Sequence, residues 1–266
     1  MARGTPYFDR APVADFDTLL EKYGSREFAS PFRSTVPLFS LVKDGWPLFR
    51  EILLQCGLPE EADLHFEYTQ DVTRGRGKAS HTDLMVCADE RSLAIEAKWT
   101  EPRYETVAEW LVRGSTEQPL EEKHDGKEIT SNREEVMAGW PESIRSRVPG
   151  LAPVGDFSNA IYQMVHRAAS ACERSPRPQL GYLQFKSSDV LSGHSTYWMD
   201  LCRLHELLGH PSNFRFHLIE IDVAPTLAFD AIRHLEKGSA ATDLAVRDSL
   251  LGTLLFEFGS PKIRSL

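Results

Sequence analysis

Alternating apolar and polar positions mark a hairpin in the segment SHTDLMVCADERSLAIEAKWTEP. Apolar runs over 82–88 and 92–99 flank a short polar stretch, which predicts two antiparallel strands joined by a tight turn. Side chains of a strand alternate between its two faces, so each predicted strand has one apolar face. The opposite face of the hairpin carries three charged side chains, Asp83, Glu96 and Lys98.

The apolar faces also predict how the two strands pair, because a one-residue shift would set an apolar face against a charged one. A two-residue turn would place Leu84 opposite Ala97. Asp83 would then lie opposite Lys98 and diagonal to Glu96, roughly 7–8 Å away and within reach of one shared ion. A Glu-x-Lys pair on a strand is by itself more typical of a solvated sheet face. The hairpin alone therefore does not decide between an ion-binding site and a solvated face.

The same patterning predicts the remaining elements. Helices are expected at 15–24, 46–56, 103–114, about 132–140, 157–174 and 197–208, and strands at 64–72, 180–187 and 214–223. The last forty residues read as two further amphipathic helices. Strands interspersed with helices predict an α/β fold with a mixed central sheet flanked by helices.

We expect one domain over residues 1–266, since this length suits one large domain. Residues 1–45 are interpreted as an N-terminal adaptor region and 46–225 as the core. The charged stretch 115–150 is interpreted as an insertion in that core, and 226–266 as C-terminal helices.

Composition narrows the functional classes. Thirty basic against thirty-nine acidic residues give a net charge of −9, which excludes a protein that holds DNA by bulk positive charge. The four cysteines are scattered without a metal-ligand spacing, as expected for reduced thiols in a cytosolic protein. No apolar stretch is long enough for a signal core or a membrane helix, so a cytoplasmic protein without membrane contact is predicted.

Asp83, followed thirteen residues later by Glu96-Ala97-Lys98 across a hairpin, resembles the PD-(D/E)xK nuclease superfamily, also called restriction-endonuclease-like. In that superfamily the residue before the first acid is usually proline, whereas here it is Thr82. The resemblance extends over about 45–225 as an order of elements, and FEYTQDVTRGRGKASHTDLMV with YQMVHRAASA is similar to an uncharacterised bacterial branch. It implies a restriction-endonuclease-like mixed sheet with helical additions at both ends.

The resemblance implies Mg²⁺-dependent hydrolysis of phosphodiesters, first of all by an endonuclease acting on DNA, with Mn²⁺ able to substitute. Asp83 and Glu96 would be metal ligands, together with the backbone carbonyl of Ala97, and Lys98 would assist the attacking water. A further acid often joins from an upstream element. Glu67 is the first candidate because alternation aims it toward the polar face, and Glu51 is the second.

The helix predicted at 157–174 and the basic loop before the hairpin supply further candidates. By resemblance, Gln163 would be catalytic, and His166 and Arg167 would bind nucleic acid. Arg74, Arg76 and Lys78 could contact phosphates from the loop. Surface or capping roles for His166 and Arg167, and a merely solvated loop, stay open alternatives.

Two other functional classes are weighed. The chain could keep the fold without catalysis and act as a nucleic-acid or protein interaction module. The segment HELLGH suggests a zinc peptidase, but its histidines, His205 and His210, are five residues apart rather than the four that this motif requires. Relatives often cut as dimers, so a homodimer also stays open.

Overall fold

The computed structural model describes residues 4–117, 132–187 and 196–266. Its strands are β1 (Pro6–Phe8), β2 (Ala11–Pro12), β3 (Asp63–Gln70), β4 (Ser80–Ala88), β5 (Arg91–Lys98), β6 (Arg177–Lys186), β7 (Arg215–Pro225), β8 (Phe256–Phe258) and β9 (Lys262–Ser265). Its α-helices are α1 (Phe16–Lys22), α2 (Thr35–Lys43), α3 (Trp46–Gln55), α4 (Val107–Glu117), α5 (Asn132–Arg145), α6 (Tyr162–Arg174), α7 (Tyr197–Leu207), α8 (Leu227–Ile232) and α9 (Ala240–Gly252).

One mixed sheet organises the described part of the chain. Its strand order is β2-β1-β3-β4-β5-β6-β7-β8, and β9 also pairs with β7. Strands β3, β4 and β5 are antiparallel to one another, whereas β5, β6 and β7 run parallel. The predicted α/β fold with a large mixed sheet flanked by helices is therefore confirmed.

Each face of the sheet is covered by its own apolar layer. Leu84, Val86 and Ile95 point into the layer formed with α2, α3, α8 and α9. Met85 and Ala94 point into the other layer, formed with α5, α6 and α7. Alternation along β4 and β5 thus divides the apolar residues between two cores, and the second layer is the one that surrounds the candidate site.

The β4–β5 register differs from the predicted one by two residues. Leu84 pairs with Ile95 instead of Ala97, because the turn is formed one residue earlier, by Asp89 and Glu90. A shift of two residues keeps every side chain on its predicted face. Continuing the observed register sets Asp83 opposite Glu96, so the two acids are closer neighbours than the predicted diagonal implied.

Strand β3 also departs from simple alternation. Leu64 and Phe66 lie in the first apolar layer, but Tyr68 lies in the second, so the strict alternation on which the prediction for Glu67 rested does not hold along this strand. The backbone turns over at Glu67, whose φ of 52° is in the left-handed region. A non-glycine residue rarely adopts this conformation within a strand, and the sequence gives no sign of it.

Several boundaries need correction. The predicted start of the helix at 157 is wrong, because residues 154–159 form a 3₁₀ turn and α6 begins only at Tyr162. Strands β1, β2, β8 and β9 and helix α2 were not predicted, and the C-terminal region holds strands as well as helices. In the predicted insertion, residues 118–131 lie outside the described residues, and α5 continues beyond its predicted end to Arg145.

The basic loop between β3 and β4 is docked on α5. Thr73 donates to the carbonyl of Gly139 (3.1 Å), and the backbone N–H of Arg76 donates to Oδ1 of Asn132 (2.6 Å). A Cβ atom added at Gly139 would lie 2.7 Å from Oγ1 of Thr73 and 3.1 Å from the backbone nitrogen of Arg74. The loop therefore sits directly on a helix position that lacks a side chain.

In the part of the chain that the structure describes, the helices are too short or too polar to cross a membrane.

Candidate active site

Glu96 is the centre of a buried polar cluster on β5. Its side chain is 3% exposed, and it accepts hydrogen bonds from Lys98 Nζ to Oε1 (2.9 Å) and from Gln163 Nε2 to Oε1 (2.6 Å). Arg167 Nε donates to Oε2 (2.6 Å). Burial opposes the charge of Glu96, but Arg167 and Lys98 outweigh it and hold the pKa of this carboxyl below its ordinary value. Glu96 is therefore an anion clamped by three donors.

Asp83 lies beside this cluster at the end of the hairpin. Its Oδ2 accepts a hydrogen bond from the backbone N–H of Ala97 (2.8 Å), and the side chain stays partly exposed. Burial, followed by the charges of Glu96 and Glu67, raises the pKa of Asp83 well above its ordinary value. Asp83 thus lies within electrostatic range of two other acids.

Glu67 is the third acid of this group. Its left-handed backbone lies midway along β3, the strand that pairs with β4. Burial, followed by the charge of Glu27, raises the pKa of Glu67 to about 7. The charge of Arg167 opposes this rise, and that of Glu96 adds to it. Glu51, the alternative third acid, lies exposed on α3, where its carboxylate accepts a hydrogen bond from Gln55 (3.0 Å).

Lys98 points from β5 to the same side of the sheet as Glu96. The side chain is 8% exposed, so burial favours its neutral form. Glu96 and Asp83 outweigh burial and raise the pKa of the Lys98 ammonium. Lys98 is consequently a charged donor in this arrangement rather than a ready base.

Helix α6 brings its side chains to the cluster because its small residues pack closely against β4, β5 and β6. Arg167 reaches Ser80 on β4 as well as Glu96, with 2.7 Å between Nη1 and the Ser80 oxygen. The Ser80 hydroxyl also lies 2.8 Å from Nδ1 of His166, a nitrogen that must accept because Arg167 Nη1 contacts it too (3.1 Å). Burial and the nearby Arg167 and Lys98 charges lower the pKa of His166 well below its ordinary value. His166 is therefore a neutral ring, and the surface or capping role is wrong for both helix residues, which are buried.

A concave space of about 680 Å³, which we call the basic cleft, opens above this network. Its lining includes the cations Arg76, Lys78, Arg113, Arg133 and Arg167 and the aromatic side chains Tyr104, Trp110, Trp140 and Tyr162. Ser80, Gln163 and His166 form part of its wall as well. Among the described residues that line the cleft, none is acidic.

Gln163 and Arg167 join the cleft to the acids, since both line the cleft and both bind Glu96. The Oε1 atom of Gln163 is buried, and no described group hydrogen-bonds to it. An amide oxygen left in this state costs free energy unless water or a ligand donates to it. Gln163 is thus placed to accept a hydrogen bond from a group that enters the cleft.

The three basic loop residues take different positions. Arg76 and Lys78 are exposed and line the cleft. Arg74 is not among the cleft residues, and its guanidinium lies 3.7 Å from Glu142 on α5. The structure therefore brings two of the three predicted phosphate contacts to the cleft.

Sequence reasoning missed the opposite wall of the cleft. The rings of Trp110 and Tyr162 stack with centroids 3.9 Å apart, and the guanidinium of Arg133 lies 5.0 Å from the Trp110 centroid. Tyr104, 39% exposed, adds an accessible ring. The available signal was the spacing of Tyr104 and Trp110, aromatic residues set among arginines on α4 and the segment that leads into it.

The carboxylate oxygens of the acid cluster suit a hard cation, because such oxygens are the ligands that Mg²⁺ prefers. Within the described ranges, however, no three His, Cys, Asp or Glu side chains are arranged to hold a metal ion. Both oxygens of Glu96 are already occupied by donors of the chain. The three acids lie within electrostatic range of one another but do not form a metal site as they stand, and a cation could bind Glu96 only in exchange for one of those donors.

The histidines of HELLGH do come together. Nδ1 of His205 and Nδ1 of His210 lie 3.3 Å apart, with His210 in the left-handed region. In the described part of the chain they are not joined by a third side chain placed as a metal ligand. A catalytic zinc site usually has three protein ligands, so this pair gives no support to the peptidase interpretation.

Comparisons with curated proteins and with solved structures gave no significant match. One family model matches residues 12–221, more than half of the 266-residue chain, and it is described as a domain of unknown function, DUF6946. The match spans the hairpin, the basic loop and α6, the elements that form the candidate site. The chain belongs to the DUF6946 family.

Proposed function

We propose that this protein is a metal-dependent nuclease with a restriction-endonuclease-like fold that hydrolyses phosphodiester bonds of nucleic acid, with DNA as the first substrate to test. The observation that carries the proposal is the position of Asp83 and Glu96, neighbours across the β4–β5 hairpin, with Lys98 beside Glu96. Gln163 and Arg167, which both bind Glu96, also form part of the wall of the basic cleft. Carboxylates, an ammonium group and a phosphate-attracting cleft are the parts that this reaction needs.

Asp83 and Glu96 would hold Mg²⁺, with Glu67 as a third carboxylate and the Ala97 carbonyl on the same strand. When bound, the ion would make a coordinated water more acidic and offset charge on the phosphoryl oxygens. Lys98 would donate to the attacking water or to a phosphoryl oxygen. Gln163 would hold Glu96 in position through the hydrogen bond from its Nε2. Arg167, which lines the cleft, would be the guanidinium nearest to the acids for binding a phosphate.

The test is cleavage of plasmid and of single-stranded DNA by purified protein with Mg²⁺ or Mn²⁺. Asp83→Asn and Lys98→Met should each lose activity, whereas Glu51→Gln, which removes an exposed carboxylate from α3, should not. Calorimetric titration with Mn²⁺ gives a readout that does not depend on turnover, and Asp83→Asn should abolish the binding. Equal cleavage by all four proteins would trace the activity to a contaminant and overturn the proposal.

The second candidate function is a non-catalytic nucleic-acid-binding module. It is favoured by one observation, the engagement of both Glu96 oxygens by Lys98, Gln163 and Arg167. In that case the hydrogen bonds around Glu96 would serve only to stabilise the fold. Binding of nucleic acid that is unchanged by Mn²⁺ and by Asp83→Asn, with no cleavage of any substrate, would identify this alternative.

A further inference from the structure

We infer that the basic cleft takes up unpaired nucleotides, so that the substrate is single-stranded or locally unwound nucleic acid rather than intact duplex. This inference rests on the proposed function for the reaction at Asp83 and Glu96, but it concerns what the cleft binds. It can therefore hold or fail independently of catalysis.

The first argument is size. A volume of about 680 Å³ corresponds to a cube about 9 Å on a side, within the range of pockets that enclose small ligands. The major groove of B-form DNA alone is about 12 Å wide, so a duplex cannot enter this space. One or two nucleotides extruded from a stack can.

The second argument is the pairing of cations with aromatic rings. Arg76 and Lys78 lie exposed on the loop that forms one side, and Tyr104 presents an accessible ring in the same cleft. Proteins that bind single strands combine these two features, because cations track the phosphates while bases stack on aromatic faces. The phosphates of a duplex would contact the cations, but its paired and stacked bases could not stack on the Tyr104 ring.

The third argument is polarity at the inner end. Gln163 is 7% exposed, and its buried Oε1 has no hydrogen-bond partner in the described part of the chain. The amino groups of adenine, cytosine and guanine donate hydrogen bonds, and these edges become available when a base is unpaired. The neighbouring Trp110–Tyr162 stack adds aromatic surface to the same wall.

The experiment is fluorescence anisotropy in EDTA, which prevents cleavage. Four labelled 12-mers are compared: single-stranded DNA, single-stranded RNA of the same sequence, the DNA duplex, and a DNA strand with abasic sites. We expect at least one of the single strands to bind tenfold or more tightly than the duplex and the abasic strand. The two single strands separate DNA from RNA as the source of the nucleotide.

Variants identify the cleft. Tyr104→Ala should weaken single-strand binding at least fivefold, and Tyr104→Phe should keep it, because stacking needs the ring and not the hydroxyl. Arg76→Gln should reduce the slope of log K against log salt by about 0.7–1, whereas Arg203→Gln, an exposed arginine on α7, should not. The inference is overturned by equal or tighter binding of the duplex or the abasic strand, by no binding of either single strand, or by an unchanged affinity of Tyr104→Ala. Single-strand binding without cleavage would instead refute the proposed reaction alone.

Discussion

Arg167 on α6 forms a buried ion pair with Glu96 on β5, with Nε 2.6 Å from Oε2. Both side chains are almost fully buried, so removing one leaves the other poorly solvated. A buried pair adds little net stability, but breaking it is costly because one charge is left without compensation. The pair is therefore a sensitive point for testing the arrangement of the site.

Arg167→Met should lower the free energy of unfolding by about 3–5 kcal/mol, since Glu96 would keep only Lys98 as a cationic partner. Adding Glu96→Gln to Arg167→Met should recover part of this loss, because the uncompensated carboxylate is then gone. Urea denaturation of the single and double variants measures the coupling. Additive effects of the two substitutions would show that the side chains do not form this ion pair.

Asp83→Asn should stabilise the metal-free protein while removing activity. The amide can still accept from the backbone of Ala97, but it no longer repels Glu96 and Glu67, so a gain of roughly 0.5–2 kcal/mol is expected. A raised carboxyl pKa in the folded state means that the wild type loses stability as pH rises above the ordinary value of 3.8. The advantage of the variant should therefore grow with pH. Chemical denaturation at pH 5 and pH 8 measures it, and a variant less stable than the wild type at both pH values would contradict the crowding of these acids.

Glu67→Gln and Glu51→Gln separate the two candidates for the third acid. Glu67 lies within electrostatic range of Asp83 and Glu96, so its substitution should lower Mn²⁺ affinity about 10–100-fold. Glu51→Gln removes the same charge from an exposed helix position and should change affinity less than twofold. Calorimetric titration decides between them, and the reverse ranking would assign the role to Glu51.

His217 should make stability depend on pH below neutrality. It is 1% exposed, with Nδ1 2.8 Å from Ser265 Oγ and Nε2 2.7 Å from Gln179 Oε1. Burial, with a smaller effect of Arg215, lowers its pKa from 6.5 to about 4. Because the unfolded chain binds this proton more readily, stability present above pH 6.5 is lost as pH falls toward 4, by about 3 kcal/mol in total.

The check compares urea denaturation of the wild type and His217→Gln between pH 4 and pH 7.5. The wild type should lose more stability on acidification than the variant does. His234→Gln, a substitution of an exposed histidine, should follow the wild type. Parallel curves for the wild type and His217→Gln would mean that His217 is not buried in its neutral form.

The sequence was sufficient to predict which side chains share a face of the hairpin. Apolar alternation has a period of two residues, so Asp83, Glu96 and Lys98 stay together even though the register is shifted by two. The turn could not be placed as reliably, because Asp89, which turns the chain with a φ of 44°, looks like any other polar residue of the stretch. The fold class and the shared face of Asp83, Glu96 and Lys98 could thus be predicted, whereas the distances between these residues could not.

Other features depend on contacts between distant segments. Helix α2 went unpredicted because Pro37 suggests a break, although proline is compatible with the first turn of a helix. The left-handed Glu67 has no sequence signal, since any non-glycine residue is expected to avoid that conformation. The basic cleft joins the β3–β4 loop to the segments around Tyr104, α5 and α6, and local periodicity cannot show that these segments converge.

The missing side chain at Gly139 lets the basic loop lie directly against α5. A methyl group there would collide with Thr73 and the backbone of Arg74, and would thus push the cation-bearing loop off its helix. The carboxylates on β4 and β5 belong to the central sheet and would keep their places. Under the proposed function, the loop cations that would bind a polyanion are thus anchored on α5 and the carboxylates on the central sheet, while Gln163 and Arg167 of α6 connect the two.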